Sequence, residues 1–328
     1  MEARMLAIVI TEPGGPEVLQ LQERPTPEPV ADQIRVRVHA TALNRADLLQ
    51  RIGRYPAPFG TPQDIPGLEF AGTVDAVGPL VETLRPGDRV FGIVGGGAYA
   101  EYLITTERMA VRVPTNLDWV QAAAVPEVFM TAHDALMQAR LVSGERVLIH
   151  AVGSGVGTAA VQLVRATGGI GYGTARSADK LTAARELGLD VALPADGWAA
   201  ALGQSSAQAG VDVILDFIGS AYLTDNLKSL SMRGRLILIG LMGGASAEID
   251  LSMVQRKRLQ ITGTVLRARP LEEKIAVTQA FARQVVPLLE RGSARPVVDR
   301  VFDLQDAAAA QRYMEQNANF GKIVLRVP

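Results

Sequence analysis

The chain has 328 residues, enough for two domains of ordinary size. Hydrophobic residues make up 48% of it, and 33 basic residues against 34 acidic ones leave a formal charge of -1, which argues against nucleic acid as a partner. It contains no cysteine, which excludes disulfides and thiolate zinc sites. No stretch is long and apolar enough for a membrane span, and the opening MEARMLAIVITEPGG is too short an apolar run for a signal peptide. A cytoplasmic protein is the expectation.

In chain order, the first third reads as short strands broken by turns. Leu6 to Ile10 is a strand candidate that stops at Thr11-Glu12-Pro13-Gly14-Gly15. Gln33 to Ala40 alternates, with Ile34, Val36, Val38 and Ala40 on one face. Asn44 to Ile52 suits one or two helical turns. Gly53 to Gly67 carries four prolines and reads as loop. Phe70 to Val77, Arg89 to Val94 and Ala98 to Thr105 are further strands.

From Val120 to Leu141 the pattern is helical. Strand and helix then alternate: Val147 to His150, Thr158 to Thr167, Gly169 to Thr174, Ala178 to Leu187. Val211 to Asp216 and Leu236 to Ile239 are nearly continuous apolar runs, as expected for parallel strands covered on both faces. Leu271 to Arg291 reads as a long amphipathic helix with Pro287 inside its end. A strand at Arg300 to Phe302, a helix at Leu304 to Asn317 and a strand at Lys322 to Val327 follow. The fold class expected is α/β, with a strand-rich domain and a Rossmann-type, doubly wound parallel sheet. The strand-rich domain spans 1–125 and is completed by 271–328, and the Rossmann-type domain spans 126–270.

The segment VLIHAVGSGVGTAAVQL runs from a strand through a glycine cluster into a helix. Gly153, Gly155 and Gly157, with Ser154 and Val156 between them, would open that helix. Its first N–H groups have no intrahelical partner and sit at the positive end of the dipole, so a pyrophosphate can rest there if no Cβ blocks its approach. The order G-S-G-V-G departs from G-x-G-x-x-G, because Thr158 stands at the last glycine. A tight βα turn without a ligand fits the local sequence too.

At the end of the second strand of that unit an NAD site usually has a carboxylate. Here the chain reads Gly173-Thr174-Ala175-Arg176-Ser177, with no acid before Asp179. Arg176, Ser177 and Lys180 suit a 2′-phosphate, which points to NADPH. The alternative is ordinary exposed charge at a helix start. Gly219 and Gly240 follow two further strands, where ligands of parallel sheets lie.

The chain resembles the zinc-free quinone oxidoreductases of the medium-chain dehydrogenase/reductase superfamily. It is similar to the p53-inducible branch, related to zeta-crystallin. The resemblance rests on ALNRADLLQRIGRYP (42–56), IPGLEFAGTVDAVG (65–78), GDRVFGIVGGGAYAEY (87–102), IHAVGSGVGTAAVQL (149–163), GTVLRARP (263–270) and FGKIVLRV (320–327). It implies a GroES-like first domain, a Rossmann-type second domain, an active site in the cleft between them, NADPH as cofactor, no metal and a homodimer. It also implies that Asn44 and Tyr55 lie beside the nicotinamide and the acceptor. Phe129 and Thr131 would line the cofactor site. Gly240, Leu241, Thr264, Val265 and Leu266 would follow its nicotinamide half, and Asn319 would close over it.

Three positions depart from that pattern. Val152 stands where a small residue is usual. Ala195 replaces a tyrosine near the adenine, a contact that Trp198 could rebuild. Arg176 replaces a glycine. The three histidines, His39, His133 and His150, show no close metal spacing. The reaction expected is direct hydride transfer from NADPH to a quinone or similar conjugated acceptor. Alternatives are an enoyl or enone reductase, and an NADPH-binding redox sensor with little turnover.

Overall fold

A computed structural model describes residues 3–205 and 210–328; residues 1–2 of the expected first domain and 206–209 of the expected second lie outside the described residues. The chain opens with β1 (Arg4–Ile10), β2 (Leu19–Pro25), β3 (Gln33–Ala42), α1 (Arg45–Arg51), β4 (Glu69–Val77), β5 (Arg89–Ile93), β6 (Tyr102–Thr106), β7 (Ala110–Arg112), α2 (Trp119–Ala123) and α3 (Pro126–Gln138). It continues with β8 (Arg146–Ile149), α4 (Gly155–Thr167), β9 (Ile170–Ala175), α5 (Ala178–Glu186), β10 (Val191–Pro194), α6 (Trp198–Gly203), β11 (Val211–Asp216), α7 (Ser220–Ser229), β12 (Leu230–Leu238), α8 (Leu251–Lys257) and β13 (Gln260–Gly263). The tail holds α9 (Leu271–Gln284), α10 (Val286–Glu290), β14 (Val298–Asp303), α11 (Ala307–Glu315) and β15 (Lys322–Arg326). Two compact units result: residues 1–130, 266–292 and 296–328, and residues 131–265 and 293–295.

The first unit is built on a seven-stranded sheet of order β14-β15-β3-β4-β5-β7, with β6 also paired to β3. Its central strand β3 is the alternating segment: Ile34, Val36, Val38 and Ala40 are all fully buried. The tail supplies β15, which runs antiparallel to β3 and brings Val324 opposite Ala42. Burial of both chain ends in one core explains why the strand-rich unit needs residues from the tail.

The second unit is a six-stranded sheet of order β10-β9-β8-β11-β12-β13, in which every pairing is parallel. In strand order along the chain this is 3-2-1-4-5-6, the doubly wound arrangement whose direction reverses between β8 and β11. Val147, Leu148, Ile149, Val213, Ile214 and Leu215 are wholly buried, as their apolar runs require.

The structure departs from the sequence expectations where a local breaker acts. The helical stretch 120–141 is two helices, because Pro126 starts α3 and the chain turns at Ala124 and Val125. The stretch 271–291 likewise divides at Val285, with Pro287 in the first turn of α10. The strand expected over 98–105 begins at Tyr102; Ala100 instead makes an isolated bridge to Ala7. Helix α4 starts at Gly155, three residues before the expected Thr158, because the Ser154 hydroxyl caps it by accepting the Gly157 N–H at 3.0 Å. Among the described residues no helix is long and apolar enough to cross a membrane.

Candidate functional site: a glycine turn and a buried carboxylate cluster

In the second unit the glycine turn lies at the carboxyl end of β8, beside the sheet's reversal point. Gly157 N–H is taken by Ser154, and Thr158 N–H by the Ser154 carbonyl at 2.9 Å. The N–H groups of Gly155 and Val156 have no acceptor among the described residues. A Cβ on Gly157 would sit 2.6 Å from the Ala151 carbonyl oxygen and 2.7 Å from that of Val152, so only glycine lets the helix approach the turn this closely. Ala151 holds a left-handed φ of 49°. Val152 is accommodated by its neighbour across the sheet: a Cβ at Gly173 would meet Val152 Cγ2 at 2.8 Å. The larger residue is therefore matched by the glycine opposite it.

The remaining strand ends of this unit converge on the same edge. The turn after β11 is held by Asp216, whose Oδ1 accepts from the N–H groups of Ile218 at 2.7 Å and Gly219 at 3.1 Å. Gly219 has φ 82°, and a Cβ there would lie 2.6 Å from the Gly244 carbonyl oxygen and 2.9 Å from Leu241 Cδ2. Gly240 backs onto the same turn, its N–H 3.2 Å from the Asp216 carbonyl oxygen. After β9, Ser177 caps α5 by accepting the Lys180 N–H at 3.2 Å, which leaves its own hydroxyl proton to donate. Arg176 beside it is exposed, and no carboxylate intervenes before Asp179.

Beneath these turns runs a buried polar chain. His150 Nδ1 lies 3.1 Å from Thr174 Oγ1 and its Nε2 lies 2.7 Å from Asn226 Oδ1. Asn226 Nδ2 donates to Asp216 Oδ2 at 3.1 Å. Because the amide oxygen only accepts, the ring proton belongs on Nε2 and Nδ1 accepts from Thr174. Burial lowers the His150 pKa to about 4, so the ring is neutral. His150 thus serves the fold of the turn. Trp198 is 3% exposed and packs against His150 and Tyr222, with ring centroids 4.8 and 5.5 Å away. This is a core role and corrects the expectation that its ring could replace an adenine contact.

Other expected cofactor residues are placed as follows. Thr131 Oγ1 is buried and has no hydrogen-bond partner among the described residues. Thr264 Oγ1 is tied to Asp134 Oδ2 at 3.2 Å and Gln138 Nε2 at 2.9 Å. Val265 and Leu241 are half exposed. In the first unit, Phe129 and Leu266 are buried, and the Asn319 amide donates to the Gly321 carbonyl at 2.8 Å within its own loop.

The first unit holds a cluster centred on Asn44. Asn44 occupies the N-cap position of α1, but its side chain turns inward. Its Nδ2 donates to Glu69 Oε1 at 2.8 Å and its Oδ1 accepts from Lys322 Nζ at 2.8 Å. Lys322 Nζ also lies 2.7 Å from Glu69 Oε1. Glu69 Oε2 accepts the Glu127 N–H at 2.9 Å, in the first turn of α3. Asp47 accepts from the N–H groups of Asn44 at 2.7 Å and Gly67 at 3.1 Å, and from the Tyr99 hydroxyl at 3.2 Å. Burial raises the Asp47 pKa to about 6 against the pull of those donors and of Lys322 and Arg267.

Arg267 fixes the Tyr55 loop. Its guanidinium donates to the carbonyls of Gly95 at 2.8 Å and Tyr55 at 3.1 Å and to Gln50 Oε1 at 2.6 Å, while stacking 5.1 Å from the Tyr55 ring centroid. The Tyr55 hydroxyl has no hydrogen-bond partner among the described residues, and burial raises its pKa above the usual value. Among the described residues no group of three or more His, Cys, Asp or Glu is placed to hold a metal.

The residues that sequence reasoning missed are Asp47, Glu69, Glu127, Arg267 and Lys322. Glu69, Glu127, Arg267 and Lys322 are charged side chains inside apolar or glycine-rich segments, a legible anomaly; Asp47 lies in the polar segment NRADLLQR and gives no such signal. Only the fold shows that they meet.

A family model for the alcohol dehydrogenase GroES-like domain matches residues 30–115, and one for zinc-binding dehydrogenases matches residues 187–325. The chain is 34% identical to a quinone oxidoreductase of Rattus norvegicus, over 98% of this chain and 97% of that protein. It is 36% identical to the pikromycin polyketide synthase component PikAII of Streptomyces venezuelae over 96% of this chain, but spans only 8% of that protein. Among solved structures it is similar to an NAD-dependent alcohol dehydrogenase, with TM-score 0.88 and 31% identity over 99% of this chain and 100% of that one. It is also similar to the CurK enoyl reductase, with TM-score 0.86 and 27% identity over 99% of each chain. The chain belongs to the medium-chain dehydrogenase/reductase superfamily, and its relatives include quinone oxidoreductases.

Proposed function

We propose that the protein is an NADPH-dependent reductase of quinones or similarly electron-poor conjugated acceptors, working without a metal. The observation that carries this reading is the start of α4, where Gly155 and Val156 present free N–H groups and Gly157 admits no side chain. A diphosphate bridge fits that cradle. The buried Thr131 hydroxyl, without a partner among the described residues, supports a ligand in the same unit. Ser177, Lys180 and Arg176, with no acid at the end of β9, favour a 2′-phosphate over a bare ribose.

When bound, NADPH supplies the hydride. The chain supplies positioning and charge. The Tyr55 hydroxyl has a proton to donate to an acceptor oxygen as negative charge builds there, and Arg267 holds the Tyr55 loop in place. Asn44 contributes through Glu69 and Lys322, since its amide is engaged by both. A homodimer is proposed with this reading, supported by the outermost strand β13, where Ile261 is 37% exposed. A cytoplasmic setting belongs to the same proposal.

The likeness to the CurK enoyl reductase favours a second reading, reduction of a conjugated ketone or thioester. Separate titrations with NADPH and NADH, followed by oxidation assays with quinones and enones, test both. Tighter NADPH binding and turnover of either acceptor class support the proposal. Preference for NADH, or no turnover with any acceptor, contradicts it.

A further inference from the structure

A doubly wound sheet sets where each part of a dinucleotide falls. With the diphosphate at the start of α4, the adenosine ribose lies at the end of β9, beside Arg176 and Ser177, and its base continues along the carboxyl edge of the second unit's sheet. A purine is held there by apolar or aromatic side chains against its faces. Trp198 is spent in the core, and Ala195, in the loop after β10, has only a methyl group to offer. Tyr222 sits at this edge, in the first turn of α7 directly after the Gly219 turn, and is half-buried. Its position is pinned. The backbone N–H donates to the Gly219 carbonyl at 3.0 Å, and the hydroxyl donates to the Ala195 carbonyl at 3.2 Å. The ring centroid lies 4.9 Å from that of His150, which leads into the glycine turn, and 5.5 Å from that of Trp198. A ring fixed in this way loses little conformational freedom when a ligand arrives.

The geometry points to Tyr222 as the residue that packs against the adenine of the coenzyme, an inference that rests on the NADPH reading above. The base is thereby assigned to the first turn of α7 and not to the loop after β10. The one proton of the Tyr222 hydroxyl is committed to Ala195, so the accessible part of the ring offers carbon and no donor. Recognition is therefore of the flat face of the base. Burial, then the charges of Asp196 and Asp216, raise the Tyr222 pKa above its usual value, and Arg176 opposes them. The charge of Arg176 thus reaches the same ring, as expected if the cation meets the phosphate side of the adenosine and the ring meets its base. The phenol keeps its proton through the neutral range, and with it the bond to Ala195.

The test compares a ligand that carries the base, adenosine 2′,5′-bisphosphate, with one that lacks it, ribose 2,5-bisphosphate. In calorimetric competition against NADPH, the wild type should bind the first about ten- to hundredfold more tightly. Tyr222→Leu keeps an apolar side chain against His150 and Trp198. It should lose most of that ratio while binding ribose 2,5-bisphosphate as the wild type does. Tyr222→Phe keeps the ring and should keep the ratio within about fivefold. Damage to the fold would weaken both ligands alike and leave the ratio in place. A second readout uses the wild type itself: with ring-labelled tyrosine, a nuclear Overhauser contact should join adenine H2 or H8 to one tyrosine ring and vanish in Tyr222→Phe. A ratio retained in Tyr222→Leu, or a wild-type spectrum without that contact, overturns the assignment. A wild type that binds neither adenosine 2′,5′-bisphosphate nor NADPH overturns the coenzyme reading itself.

Discussion

Lys322 Nζ sits 2.7 Å from Glu69 Oε1, and both side chains are almost completely buried. The pair joins β15, from the tail, to β4 near the middle of the first unit's sheet. It also holds Asn44 by its amide oxygen at 2.8 Å. One ion pair thus ties the chain's end to a residue expected beside the acceptor.

Lys322→Met should therefore unfold more easily than the wild type, by about 3–5 kcal/mol, because it strands the Glu69 charge. Adding Glu69→Gln removes that stranded charge and should restore part of the loss. Urea denaturation of both variants measures it. A single variant as stable as the wild type would mean that water reaches Glu69.

His150 gives a pH dependence of definite sign. Its pKa is lowered by burial to about 4, below the ordinary 6.5. The unfolded chain binds a proton there before the folded one does. The contribution is fully present above pH 6.5 and is lost as pH falls toward 4. The loss is about 3 kcal/mol over that window. His150→Phe should flatten that part of the stability profile while lowering stability at neutral pH, since Asn226 and Thr174 each lose a partner. An unchanged slope in thermal unfolding would show that the ring is protonated in the folded protein.

Lys180→Ala should weaken NADPH by roughly ten- to hundredfold and NADH little, since only NADPH carries the extra phosphate. Fluorescence titration of both coenzymes reads this difference. An equal loss for the two would remove Lys180 from phosphate recognition and leave it a helix-start charge.

Tyr55→Phe should lower kcat/KM on the order of 10²-fold with coenzyme affinity kept. The raised pKa of this phenol means that the proton stays in place through the neutral range. Steady-state kinetics at several pH values would show the loss. Unchanged turnover would leave the ring as packing beneath Arg267.

The second unit was the more legible of the two in sequence. Val147 to Ile149 and Val213 to Leu215 are apolar on both faces, and the glycine turn interrupts them where a parallel sheet needs one. Strands β10 and β13 were not read, because each is four residues long and lies at an edge where burial imposes little pattern. Helix breaks at Pro126 and Val285 were hidden inside otherwise helical periodicity. Asn44 and Tyr55 were visible only through resemblance, since the bare sequence suits a helix cap and a packed loop aromatic equally well. The fold shows that Asn44 holds the cap position while its side chain serves Glu69 and Lys322 instead. The Asp47, Glu69, Glu127 and Lys322 cluster needed long-range pairing to be seen. Glu69 and Lys322 are 253 residues apart in sequence and meet because β15 and β4 both flank β3.

The most direct measurement is a crystal structure with NADPH bound. The account expects the diphosphate on the Gly155 and Val156 N–H groups and the 2′-phosphate within reach of Ser177 and Lys180. A nucleotide bound elsewhere on the protein, with the start of α4 bare, would contradict it.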